Sequence, residues 1–327
     1  MFLCRLILFI SMLMVPALPC YCWGFYGHER INFFAVFLLP PEMLVFYKRH
    51  IDFLTLHSVD PDKRRYAVKE EAPRHYIDMD KYGKYPFDGL PRRWDSAVKK
   101  LGVDSLNAHG IVPWWVQVME RRLEEAMRVR DAGRILKLSA ELGHYIADAH
   151  VPLHASSNHN GQHTGQRGIH GFWESRIPEL LAEKEWDFFI GGAGYVKDPL
   201  KYIWARVLES AAASDTVLRY EKALSGSYDP DKRYAFEERS GKVIRQYSKG
   251  YTIAYDKKLN GMVERRMRQS IYSVASFWYT AWVNAGQPEL RTLGAPSFSA
   301  EDQRLFDTLN QRTFAPNSTP YFTPCDT

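Results

Sequence analysis

Cysteine is nearly missing from this chain. Of four in 327 residues, three lie in the first 22 and the fourth is Cys325. If the first 22 residues are removed, no internal disulfide can form. A disulfide-stapled fold is then excluded, and bound metal becomes one candidate for reinforcement. Long apolar runs are missing too: after residue 22 nothing approaches the length of a membrane helix. Strand-like alternation is scarce, and there is no internal repeat or long low-complexity linker. Nor does either charge dominate. The formal balance of +5, or +4 once Arg5 is removed, tolerates an anionic substrate but singles none out.

Residues 1–22 carry the features of a secretory signal. Arg5 supplies the positive start, and LILFISMLMVPAL an apolar stretch too short to span a bilayer. Cys20 and Cys22 occupy the −3 and −1 positions of a cleavage site. A cut after Cys22 makes Trp23 the first residue of an exported protein, periplasmic or extracellular. Acylation at Cys20 is the rival outcome, which Pro19 disfavours.

The rest reads as mainly helical. From Pro113 to about Ala149, apolar residues recur at three- and four-residue spacing with a break near Gly133. Residues 198–225, 237–262 and 264–284 repeat the pattern. In the last of these, Ile271, Val274, Ala275, Trp278, Ala281 and Trp282 share one face, as a core stripe does. Residues 57–93 and 155–169 are loop-rich. The simplest account is one all-α domain over 23–313 with an irregular tail at 314–327.

Six of the eleven histidines lie between 144 and 170. His144 and Asp148 are four apart in a helical pattern, so both project from one face. His154 follows after a bend at Pro152. His170 and Glu174, in HGFWE, repeat the four-residue spacing. Imidazole and carboxylate pairs of this kind on facing segments can build a zinc site. His150, His159 and His163 have no carboxylate partner at that spacing and are read as ordinary histidines.

HYIADAHVPLH followed by HGFWE resembles the superfamily of zinc-dependent phospholipases C and single-strand-specific nucleases. These carry H-x3-D-x5-H and then H-x3-[DE]. The resemblance spans most of the chain after residue 22, with matching parts at 23–28, 60–78 and 144–174. It implies an all-helical fold with three zinc ions in a cleft. It also implies that the first residue, here Trp23, binds metal through its free amine and carbonyl, helped by His28. His75 would be a further ligand. An aspartate ahead of it is needed too. Asp62 has the family's arginine three residues on, Arg65, while Asp60 fits the spacing to His75 slightly better. One zinc would then lie between Asp62 or Asp60, His75, His144 and Asp148. A second would lie between His154, His170 and Glu174, and a third between Trp23, His28 and a shared Asp148. Such a centre implies phosphodiester hydrolysis by water activated on zinc, with Arg65, Lys63 or Arg64 to clamp the phosphate.

Two substrate classes fit these ligands. The nuclease class cuts single-stranded nucleic acid or nucleotides to leave a 5′-phosphate, and the phospholipase C class cuts lipid headgroups. In the nucleases the histidine is followed by an aromatic that stacks on a base and an aspartate that reads its edge. Tyr76 and Asp78 match. Glu174 departs toward the phospholipase pattern, and the cysteine pairs of many of the nucleases are absent.

Overall fold

The computed structural model describes residues 24–65, 67–239 and 241–314. Trp23, the expected leader 1–22 and Cys325 in the tail lie outside them. The described residues are mostly helical, as the sequence predicts. In chain order the helices are α1 (Phe25–Val36), α2 (Pro41–Arg49), α3 (Ile51–Leu56), α4 (Asp60–Arg64), α5 (Trp94–Leu101), α6 (Val103–Ala108), α7 (Val112–Arg128) and α8 (Ala132–Asp148). Then come α9 (Ile169–Gly171), α10 (Ile177–Glu185) and the long α11 (Pro199–Ser227). An antiparallel hairpin of β1 (Tyr234–Arg239) and β2 (Lys242–Tyr247) precedes α12 (Lys249–Leu259), α13 (Met262–Asn284) and α14 (Ala300–Phe314). Among the described residues, no helix is long and apolar enough to cross a membrane.

Helix α8 is the axis of the core. Every residue from Ser139 to Asp148 is buried, with α1, α7 and α13 packed around it. The expected stripe on α13 forms one wall: Ile271, Val274, Ala275, Trp278, Ala281 and Trp282 are all buried. The indole of Trp278 donates to the Ser139 carbonyl at 3.0 Å. The Ser139 hydroxyl in turn bonds the Tyr47 hydroxyl at 2.9 Å. Yet the last three turns of α8 also bury Glu141, His144 and Asp148. A charge buried without a partner is costly, so this helix must meet matching groups on its neighbours.

The break expected near Gly133 is present: it falls at 129–131, where Arg130 takes a positive φ and Asp131 caps Arg134 N. Gly133 lies inside the first turn of α8. A Cβ there would stand 1.9 Å from the Ser297 carbonyl, so this glycine serves close packing rather than the break. One expectation needs correction: residues 237–262 are helical only from Lys249. Phe236, Val243, Ile244 and Tyr247 fall at helical spacing, yet they are aromatic or β-branched and flank Gly241, whose φ is +74°. Tertiary contacts favour the hairpin: Phe172 stacks on Tyr247 at 3.8 Å, and Arg176 pairs with Glu237. The loop region 57–93 contains α4 and several single 3-10 turns, and α14 adds a helix that the sequence pattern does not single out.

The approach of α1 to α8 sets the position of the first candidate ligand. Asn32 spans the two elements, donating to the Leu54 and Ala140 carbonyls at 3.0 Å each. It lies directly over Gly143, where a Cβ would stand 2.0 Å from Asn32 Oδ1. His28 is one turn earlier on α1, and its ring stacks on His144 at 3.8 Å. Gly143→Ala is therefore expected to cost about 1–3 kcal/mol of stability by overpacking. If His28 holds a metal, that binding should weaken too, because Asn32 and His28 lie one turn apart on α1. Thermal unfolding and metal titration of the variant check both parts.

Candidate metal centre

The centre is assembled on one buried carboxylate. Asp148, at the end of α8, points Oδ2 at His75 Nδ1 (3.0 Å) and His144 Nε2 (3.3 Å). Its Oδ1 faces His28 Nε2 (3.5 Å) and His154 Nδ1 (3.6 Å). These residues come from α1, the turn Ala72–His75, α8 and the turn Pro152–Ala155. Three groups of buried side chains result: Asp62, His75 and His144; His28, His144 and Asp148; and His154, His170 and Glu174.

Ligand spacing tests whether a metal fits. A small divalent ion held tetrahedrally at about 2.0–2.2 Å needs donors roughly 3.3–3.6 Å apart. His75 Nδ1 and His144 Nε2 are 3.0 Å apart, and Asp62 Oδ1 lies 3.6 and 3.7 Å from them. In the third group, Glu174 Oε2 is 3.0 Å from His170 Nε2 and 3.6 Å from His154 Nε2. Several of these atoms are buried with no hydrogen-bond partner among the described residues: both nitrogens of His28, Asp62 Oδ1, Asp148 Oδ1 and His154 Nε2. Buried polar atoms are rarely left unmatched, and converging donors at these distances could hold metal ions.

Local structure aims the donors. His144 Nδ1 donates to the Ser58 carbonyl at 2.8 Å and His154 Nδ1 to the His75 carbonyl at 2.6 Å, so each ring turns Nε2 inward. His170 and Glu174 lie four apart across a junction where α9 passes into a π-helical turn, Phe172–Arg176. Such turns recur at functional sites because they re-aim side chains within a helix. Burial, reinforced by the nearby His144, holds the His28 imidazole well below its ordinary pKa. Burial likewise lowers His154. Both shifts favour the neutral imidazole, the form that binds metal. At His144 the effect of burial is outweighed by Asp148 and Asp62, which raise its pKa. At Asp148 burial acts the other way, to raise the carboxyl, but His144, His154 and the hydrogen bonds to it hold it well below the usual range.

The two aspartates of α4 part company. Side chains two apart in a helix point to nearly opposite sides, so only one can face His144. That one is Asp62. Asp60 turns to His57 Nδ1 (2.6 Å) and Lys63 Nζ (3.4 Å), outside the three groups. Arg65 stands beside Asp62, with Nη1 3.9 Å from Oδ1. Arg64 is buried and committed to Glu71, Glu141 and Tyr145, so it is unsuited to clamping a phosphate.

Tyr76 and Asp78 extend from the centre on a backbone wedged between two segments. Ile77 N donates to the His154 carbonyl and Asp78 N to the His109 carbonyl. Both side chains are half-buried, and Asp78 lies 3.7 Å from His109 Nδ1. His150 is a core histidine, bonded to the Ile146 carbonyl and the Ser273 hydroxyl, and His163 is exposed. The ring of His159 lies 6.1 Å from that of His170. The residues that sequence reading missed are the supports: Ser58, Glu71 and Tyr145. Only Glu71 left a signal, an acid four residues before His75.

No protein-family model matches this chain, and no curated protein matches it significantly.

Asp62→Asn should remove or weaken one bound metal, whereas Asp60→Asn should leave the metal content intact. Elemental analysis of both variants against wild type checks this. Equal loss from the two would show that the aspartates act through the fold rather than as a ligand and a bystander.

Proposed function

We propose that the chain is an exported zinc-dependent phosphodiester hydrolase of the phospholipase C and single-strand nuclease type, and that it acts on single-stranded nucleic acid or nucleotides to release 5′-phosphates. The observation that carries this reading is the convergence of His28, Asp62, His75, His144, Asp148, His154, His170 and Glu174 into three buried groups, two of which share His144. Those are the positions at which the sequence resembles that superfamily. Zinc is the metal best suited to neutral imidazoles mixed with a few carboxylates. When bound, it supplies a Lewis acid that polarises the phosphate and lowers the pKa of water.

The chain's own residues would do the rest. Asp62, Asp148 and Glu174 carry three negative charges against six from three dications. The surplus positive field favours a phosphodiester. Arg65, which lies 3.9 Å from Asp62, would bind a non-bridging phosphate oxygen. Tyr76 follows the ligand His75 directly and is not lost in the core, as a stacking platform requires. Asp78 offers an acceptor for a base edge. Trp23 would complete the His28 and Asp148 group through its terminal amine. Gly24, the next residue, packs so closely against Ser175, beside Glu174, that an added Cβ would stand 2.3 Å from Ser175 Oγ. Phospholipid is the alternative substrate, favoured by Glu174 in place of the nucleases' aspartate.

The test compares wild type and Tyr76→Ala on a dinucleotide, on a base-free phosphodiester and on phosphatidylcholine. Loss of a stacking contact of about 1–3 kcal/mol should lower dinucleotide turnover roughly 5- to 150-fold and leave the base-free ester nearly unchanged. Preferential turnover of phosphatidylcholine by wild type would overturn the nuclease reading in favour of the lipase.

A further inference from the structure

Behind the centre lies a second layer of charge that the hydrolytic chemistry does not use. Glu71 is fully buried. Its Oε2 accepts from Arg64 Nε and from Arg74 Nη1, both at 2.8 Å, and its Oε1 accepts from the Tyr145 hydroxyl. Arg64 also donates to Glu141 Oε1 at 2.8 Å and to the Tyr145 hydroxyl at 3.1 Å. Two guanidiniums thus face two carboxylates, and the layer is neutral as a unit. A buried set of this kind persists only when it is fully matched, since removing one member strands the others.

Its geometry points toward the metal ligands. Arg64 is two residues after Asp62, and Glu71 is four before His75. The Arg64–Glu71 pair therefore closes the segment that carries two ligands of one group. More directly, Glu71 Oε1 lies 3.6 Å from His75 Nε2. His75 turns its other nitrogen, Nδ1, to Asp62, His144 and Asp148. A ring that offers the Nδ1 lone pair to a metal must carry its proton on Nε2. That N–H is buried and, among the described residues, has no hydrogen-bond partner at the present distance. Glu71 is the carboxylate facing it. Histidine ligands characteristically give their second N–H to such an acceptor, which fixes tautomer and ring angle and strengthens the ligand.

We propose that Glu71, held by Arg64, Arg74 and Tyr145, is a positioning residue that orients His75 and fixes its Nε2–H tautomer for metal binding. The proposal rests on the metal reading of the Asp62, His75 and His144 group, and not on which phosphodiester is cut. Glu141 provides the control. It shares Arg64 with Glu71, and no contact places it against His75.

The experiment titrates zinc into metal-free full-length protein by calorimetry for wild type, Glu71→Gln and Glu141→Gln. Removing a supporting carboxylate of this kind typically lowers metal affinity about 10- to 100-fold. Glu71→Gln is expected to weaken one zinc equivalent by that factor and leave the others unchanged, with Glu141→Gln close to wild type. Equal zinc affinities in wild type and Glu71→Gln would overturn the proposal alone. Equal losses in both variants would also overturn it, because the effect would then come from the charged layer as a whole. A wild-type chain that binds no zinc would overturn the metal reading itself. Should Glu71→Gln fail to fold, ring nitrogen NMR of His75 in zinc-loaded wild type decides: Nε2–H is expected, and Nδ1–H would overturn the proposal.

Discussion

The structure depends on one buried carboxylate. Asp148 faces four imidazoles from four separate segments at 3.0–3.6 Å. An ionised carboxylate at this depth would be prohibitively costly alone. Its neighbours make it tolerable, and it makes them converge. The packing that brings them there is specific: α1 approaches α8 over Gly143, and the segment before His75 is folded back by the Arg64–Glu71 pair. A core helix that is apolar on most sides thus delivers its few polar groups to one end, where metal ions would neutralise them.

The same arrangement explains how the described residues, which include no cysteine, could be cross-linked. Metal at the three groups would join α1, α4, α8 and the segments around 75, 154 and 170–174. Part of the free energy of metal binding would then be folding free energy. The π-helical turn adds a link outward. Phe172 stacks on Tyr247 and Arg176 pairs with Glu237, so the hairpin is anchored beside the His170 and Glu174 donors.

Much of the centre was legible in the sequence because helical periodicity is a local property. His144 with Asp148 and His170 with Glu174 announce themselves by four-residue spacing, and the α13 stripe does the same for the core. The choice between Asp60 and Asp62 was not legible. It turns on which side of a five-residue helix faces α8, which spacing in the chain does not fix. The hairpin reads as a helix because Phe236, Val243, Ile244 and Tyr247 mimic a helical face; their aromatic and β-branched types around Gly241 are a weak counter-signal, and contacts with Phe172 and Arg176 decide. Glu71 escaped because it is held through distant residues: Tyr145 donates to it from 74 residues away, and its partner Arg64 is shared with Glu141, 77 residues from Arg64. Long-range charge matching leaves no periodic trace.

The central claim is that these side chains form a metal centre in the working protein. Its most direct test is the metal content of the full-length chain after natural processing, purified without chelators and with its first residue established by N-terminal sequencing. The account predicts zinc at each of the three groups, with Trp23 as the first residue. A protein that holds no tightly bound transition metal, and whose thermal unfolding is indifferent to chelator, would contradict it.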